Sequence, residues 1–352
     1  MCIVPVMVGN LSGNSGCGEA TGARVACIGE CMIEVVDQGD GTARLGFGGD
    51  VLNTAAYLVR SARQRVRSRP RAVEAADPGE PWVEFVTVTG DDAQSREMRA
   101  LWRLHGVHDD HAPVLPGGQT GLYLVRRDAK GERTFSHYRS VSAARGLFGP
   151  AQPAAIDEAL AASDVLYFSA ITLSIISVDA RGRLTALLDA VRSRGGRVMF
   201  DSNYRASGWD SPQQARDAIA AILPHVDVAL PTLADEQQIF EDADASACVR
   251  RLRAAGVSEV VVKLGAQGCL AAGEDGAVLV PAVKNVTVID TTAAGDAFNG
   301  AYIAARLAGA PPSEAAAAGN SLAAEVIGFP GALLPALDDP ALISPGRRRR
   351  SR

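Results

Sequence analysis

The sequence predicts an α/β fold, a mostly parallel central sheet covered by helices on both faces. Three observations carry that expectation. The chain has 352 residues and is 47% hydrophobic, enough for one large core. After residue 150, strand-like and helix-like segments alternate, the pattern of a parallel sheet with crossover helices. Polar residues then end four strand-like segments in succession: Asp201 and Asn203, Thr232 and Asp235, Lys263 and Gly265, Asp290 and Asp296. Sites in such sheets lie at the carboxyl ends of the strands.

The elements follow in order. Residues 1–23 lack the basic start of a secretion signal and read as a flexible leader. "RVACIGECMIEVV" (24–36) is the first strand signal, an apolar run rich in valine and isoleucine. "GFGGDVLNTAAYLVR" (46–60) is a glycine turn entering a helix whose Leu52, Ala55, Ala56 and Val59 share one face. Residues 61–81 hold five arginines and three prolines without an apolar period, and read as an inserted, exposed loop. A strand resumes at "WVEFVTVTG" (82–90), and "GLYLVRRDAKGERTFSHYR" (121–139) forms a hairpin about the turn "DAKGE". Strands are expected at 164–170, 197–203, 226–232 and 259–265, with helices such as 179–194 and 212–223 between them. A last hairpin, "GCLAAGEDGAVLVPA", precedes the segment "VIDTTAAGDAFNGAYIAARLAG" (288–309). The folded domain is expected over 24–340, with 341–352, ending in "RRRRSR", a solvated basic tail.

Composition excludes several functions. A formal charge of −5 argues against a nucleic-acid partner. The six cysteines form no CxxC pair and sit beside no histidine cluster, so neither a zinc site nor a disulfide framework is expected. No apolar run reaches the roughly 18 residues of a membrane helix. A cytoplasmic location is expected; assembly into a homo-oligomer is left open.

Chemistry concentrates in residues 290–296. Ala293, Ala294 and Gly295 are small enough for backbone to approach a ligand closely. A helix follows, so N–H groups at 294–297 are expected to point from its N-terminus, a ready anion site suited to a phosphoryl group in transfer. Asp296 fits two roles that local spacing leaves equally open: a helix N-cap, or a base taking the proton of an attacking alcohol. Neither a Walker A loop nor a kinase GxGxxG loop is present, so a nucleotide is held in some other way.

"DTTAAGDAFNG" and "GGDVLNTAAYLVR" resemble the two signatures of the PfkB carbohydrate kinases. The phrases "GECMIEV", "GLYLVRRDAKGERTF", "YRSVSAAR", "SAITLSI", "FDSNYR", "LPTLADEQQIF" and "VVKLGAQGC" are similar to the branch acting on 2-keto-3-deoxygluconate. The resemblance implies a ribokinase-like fold with a small β-sheet lid drawn from about 31–45 and 114–140. It implies ATP-dependent phosphorylation of 2-dehydro-3-deoxy-D-gluconate at its 6-hydroxyl, with another PfkB sugar kinase, such as a fructokinase, as the alternative. A non-catalytic binding protein of the same fold is the other class; the intact Gly295 and Asp296 weigh against it.

Site residues carry over from the same resemblance. Asp296 is implied as the base, and Ala293, Ala294 and Gly295 as the anion hole. Gly49, Tyr123 and Ile171 are implied at the sugar, with Arg139 and Arg205 on its carboxylate, which a planar guanidinium pairs well. Asn203, Lys263, Leu264, Gly265, Gly268 and Asn320 are implied at ATP, and Asp235 at Mg²⁺ through water. For Lys263 a solvated strand end is the competing reading. His137 stands where a tyrosine often meets the sugar in that branch.

Overall fold

The computed structural model of the protein describes residues 22–68, 79–127 and 133–337. Eight strands form the main sheet and four a smaller one. In chain order the strands are β1 (Arg24–Ile28), β2 (Met32–Asp37), β3 (Ala43–Gly48), β4 (Trp82–Val86), β5 (Leu122–Arg127) and β6 (Arg133–Tyr138). There follow β7 (Val165–Ser169), β8 (Arg197–Asp201), β9 (Val228–Ala229), β10 (Glu259–Lys263), β11 (Cys269–Gly273) and β12 (Gly276–Val280). The main sheet runs β12-β11-β10-β9-β8-β7-β1-β4, parallel except where β11 joins β10 and β12. The small sheet runs β3-β2-β5-β6, with β2 and β5 parallel.

The helices are α1 (Asp50–Ser68), α2 (Ala93–Leu104), α3 (Ala154–Leu160), α4 (Ala170–Ile175), α5 (Val178–Ser193), α6 (Pro212–Ile222), α7 (Leu233–Phe240), α8 (Ala245–Ala254), α9 (Ala294–Leu307) and α10 (Pro312–Val326). Their starts follow local chemistry. Asp92, Ser177, Ser211 and Asp244 each accept a backbone N–H of the first turn, and Pro212 opens α6, where its missing N–H costs nothing.

Strand alternation builds two cores, one on each face of the main sheet. Along β1, Ala26 and Ile28 join a cluster with Leu184 of α5, Ile219 of α6 and Leu252 of α8. Val25 and Cys27 join the opposite cluster with Leu52 of α1, Met98 of α2, Ile303 of α9 and Ala315 of α10. Among the described residues, no helix is long and apolar enough to cross a membrane.

Four expectations are corrected. The run 24–36 is two strands in two sheets, because the N-terminus of α1 presses on the chain between them: a Cβ on Gly29 would meet Val51 at 2.7 Å. Residues 61–68 are not loop but the last turns of α1, with Ser61 and Ala62 buried. Arginine is a good helix former, and Arg65 and Arg67 complement the helix dipole in the final turn. The strand expected over 226–232 shortens to Val228–Ala229; Pro231 has no N–H and interrupts the ladder, although its carbonyl still accepts from Lys263 N at 2.8 Å. The run 82–90 pairs as a strand only through Val86. Residues 69–78, the "DAKGE" turn, the leader through residue 21 and the tail from 338 lie outside the described residues.

Candidate active site

The segment that opens α9 is shaped by Asp290, whose carboxylate accepts from Thr292 N at 3.0 Å and from Gly331 N at 2.7 Å. Ala293 then takes a left-handed conformation, φ +60°, as the residue before the helix. Alanine pays roughly 1–2 kcal/mol for that, a strain of the kind that collects at functional sites. Of the four N–H groups expected to be free, two are not. Ala294 N donates to Thr291 O at 3.3 Å and Ala297 N to Ala293 O at 2.8 Å. Those of Gly295 and Asp296 have no acceptor among the described residues.

Asp296 lies in the first turn of α9, three residues past the cap, and so is not the N-cap that spacing allowed. Its carboxylate accepts instead from Asn53 Nδ2 of α1 at 2.8 Å. This contact depends on how closely the two helices pack. A Cβ on Gly300 would lie 2.7 Å from Leu58 N and Thr54 O, so only glycine lets α9 come this near.

Asp296 faces a cavity of about 900 Å³ between the two sheets. Its walls include eleven residues expected at a site: Gly49, Tyr123, Ile171, Asn203, Arg205, Asp235, Lys263, Ala293, Ala294, Gly295 and Asp296. Asp50, Asn53, Asp201 and Asp290 stand among them. Asp50 accepts from Ser169 Oγ at 2.5 Å and Asn203 Nδ2 at 2.7 Å. Asp201 accepts from Lys263 Nζ and Asn299 Nδ2, each at 2.7 Å. In this company burial, and next the charge of Asp50, push the Asp296 carboxyl up to about 7; Asn53 and Lys263 oppose the rise. Burial also raises the Asp235 carboxyl, against the pull of Arg205.

A second cavity of about 470 Å³ shares Met32, Gly49, Asp50, His137, Ile171, Arg205 and Ser207 with the first. Arg139 lines this one and not the larger. Its guanidinium is paired with Glu30, buried in the crossing from β1 to β2. Arg205 donates to the carbonyl of Tyr204 at 2.7 Å, pairs with Asp235 at 3.8 Å, and is half-exposed at the junction of the cavities. Arg145 adds a third guanidinium. His137 sits at the same junction among Tyr123 and Phe135, its pKa lowered by burial and then by Arg139 and Arg205.

Four residues expected at a nucleotide are not brought into either cavity: Leu264, Gly265, Gly268 and Asn320. Leu264 N and Gly268 O bond at 2.8 Å, and Gly268 N and Gly265 O at 3.0 Å, closing a tight turn. Gly268 is required by that turn itself, since at φ +96° a Cβ would meet Val280 O at 2.0 Å. Asn320 neither faces solvent nor opens on the cleft. Buried on α10, it donates to the carbonyls of Val280 and Pro281 at 3.2 and 3.0 Å and ties the helix to the end of β12. Gly49 has a structural reason too: a Cβ there would lie 2.1 Å from Glu30 O.

Sequence reasoning passed over Glu30, Asp50, Asn53 and Asn299. A signal existed for three of them. Asp50 and Asn53, and likewise Asp296 and Asn299, are spaced i, i+3 and share a helix face; polar pairs in otherwise apolar helices mark that face. Glu30 had none, because its partner is 109 residues away.

Residues 23–339 match the pfkB family of carbohydrate kinases. The chain is 40% identical over 318 residues to a 2-dehydro-3-deoxygluconokinase of Dickeya dadantii, covering 90% of this chain and 98% of that protein. Its fold superposes on a 2-dehydro-3-deoxygluconokinase of Thermotoga maritima with a TM-score of 0.74 at 19% identity, covering 89% and 95% of the two chains. It superposes on an E. coli protein described as a ribokinase II in complex with ATP and Mg²⁺ with a TM-score of 0.72 at 21% identity, covering 90% and 96%. The fold is ribokinase-like, and with the signature around Asp296 and a family match spanning nearly the whole chain, the protein belongs to the pfkB family of carbohydrate kinases.

Proposed function

We propose that the protein transfers the γ-phosphoryl group of ATP to the 6-hydroxyl of 2-dehydro-3-deoxy-D-gluconate. The observation that carries this reading is the pairing of ends within one cleft: a buried aspartate at a helix N-terminus, and arginines about the adjoining cavity. Asp296 takes the hydroxyl proton as the sugar oxygen bonds to the γ-phosphorus. The bond from phosphorus to the bridging oxygen breaks, and its electron pair leaves on ADP. The unbonded N–H groups of Gly295 and Asp296 receive the charge on the phosphoryl oxygens, together with the backbone about Ala293 and Ala294.

At the far end Arg205 meets the substrate carboxylate, and Arg139, oriented by Glu30, supports it. Tyr123, His137 and Met32 come from the small sheet, which serves as a lid over the sugar. Gly49 and Ile171 line the sugar between the two ends. Asn203 and the segment 263–268 lie toward the nucleotide, with Asn320 a prop behind it rather than a contact.

Asp235 suits Mg²⁺. Burial already disfavours its bare charge, which a nearby dication would relieve, and Oδ1 has no partner among the described residues. Asp235 would hold such an ion through water, and the ion would supply neutralisation of phosphate charge. The commitment of Arg139 to Glu30 is the one observation that favours a neutral sugar such as fructose. A coupled ATP assay over a small sugar panel decides between them: strong preference for the keto-deoxy acid is expected, and equal turnover of fructose would remove the specific assignment.

A further inference from the structure

Lys263 was expected beside the nucleotide or as a solvated strand end, and its burial excludes the second. The residue is 7% exposed at the carboxyl end of β10. Its Nζ donates to Asp201 Oδ2 at 2.7 Å and Asn299 Oδ1 at 3.1 Å. An ammonium has three N–H donors, so one remains after these two. Lys263 also lines the larger cavity, and a Cβ built on Gly295 would lie 3.5 Å from Nζ. The bare face of Gly295 is therefore turned toward the cation, in the same helical turn whose N–H groups have no acceptor.

We propose that Lys263 is a catalytic residue, its third N–H meeting the transferring phosphoryl group past the bare face of Gly295. The proposal rests on the reading of the protein as a sugar kinase with Asp296 as base. During transfer the charge lies on the three equatorial phosphoryl oxygens, and donors fixed in advance in a dry site stabilise it most. Asp201 and Asn299 hold the ammonium in place, and Asn299 is itself held, donating to Asp201 and to Tyr167 Oη. Gly295 then has two tasks, freeing an N–H and leaving the cation uncovered.

The same cation acts on the base. The groups that face Asp296 are Asp50 and Asn53 from α1, Asp201 from the end of β8, and Lys263 from β10; Tyr57, Tyr123 and Tyr167 stay neutral around it. Lys263 favours the ionised carboxylate, while Asp50 and Asp201 disfavour it. Removing the ammonium thus moves the titration of Asp296 upward in pH.

Steady-state kinetics of the full-length protein with ATP and the sugar acid test this. In Lys263→Met, kcat should fall about 100-fold, the scale of losing one oxyanion donor. The KM for ATP should stay within about threefold, and the acid limb of the pH profile should move to higher pH. Because this variant leaves Asp201 buried without its cation, Asp201→Asn/Lys263→Met is measured beside it. In that double variant the acid limb should return toward its wild-type position while kcat stays low. Recovery of wild-type kcat in the double variant would overturn the proposal, leaving Lys263 a mere counter-ion. So would a raised KM for ATP with kcat preserved, which marks a nucleotide contact. A wild type that phosphorylates no sugar acid overturns the functional reading as well, and is read separately in the same assay.

Discussion

The two ends of the cleft are built in opposite ways. At one end carboxylates crowd together: Asp50, Asp201 and Asp296 sit on strand and helix ends of the main sheet, with Lys263 as the buried cation among them. At the other end Arg139, Arg145 and Arg205 gather about the second cavity, with buried Glu30 among them. Burial and crowding make a base: burial first, and then like charges, raise Asp296 to about 7, within reach of a working pH. Pairing makes a recognition element: a guanidinium cannot lose its charge, so its neighbour sets its direction rather than its protonation.

The comparison can be broken at either end. The largest effect is expected from Asp296→Asn, which should lower kcat by about 10²–10⁴ while leaving ATP binding largely intact, as read by kinetics and calorimetry. Unchanged turnover would remove the aspartate from the chemistry. The same variant should raise the melting temperature. A carboxyl whose folded pKa lies above its unfolded value favours folding at low pH, and that contribution is lost as pH rises through about 7. The gain from asparagine should therefore be plain in alkaline buffer and shrink in mild acid.

Next comes Arg205→Met, expected to raise the KM for the sugar acid about 10- to 100-fold, the value of one hydrogen bond to a charged group. Turnover of a neutral sugar should change little, and an equal loss for both would place Arg205 outside carboxylate recognition. Arg139→Met should behave differently, because it strands Glu30 in the interior. It should lower stability by on the order of 3 kcal/mol, seen as a lower urea midpoint, and Glu30→Gln with Arg139→Gln should recover most of that. The smallest effect is the pH dependence of the unaltered protein. Below about 7, kcat/KM should fall as Asp296 takes up its proton, and a profile flat through neutrality would count against it as base.

Much of this was legible in the chain. The strand–helix alternation announced the parallel sheet, and the polar strand ends announced the cleft, because both are local patterns repeated in order. The reading failed where two distant segments meet. The run 24–36 looks like one strand until Gly29 is found against Val51. Residues 61–68 look like loop, since arginines hide a helix whose buried face is only Ser61 and Ala62 there. Asn320 looks like a ligand contact, and its true partners are carbonyls of the β12 edge.

By itself, the sequence determined the two sheets' raw material, the helix that begins at the glycine-rich turn, and the residue types a phosphoryl transfer needs. Those follow from period, propensity and spacing, which act over a few residues. Only the tertiary structure decided that Asp296 caps nothing and leans on Asn53, that Arg139 is spent on Glu30, and that Lys263 lies against Gly295. Each depends on charges and donors brought together across tens to hundreds of residues, and burial then sets which of them stays charged.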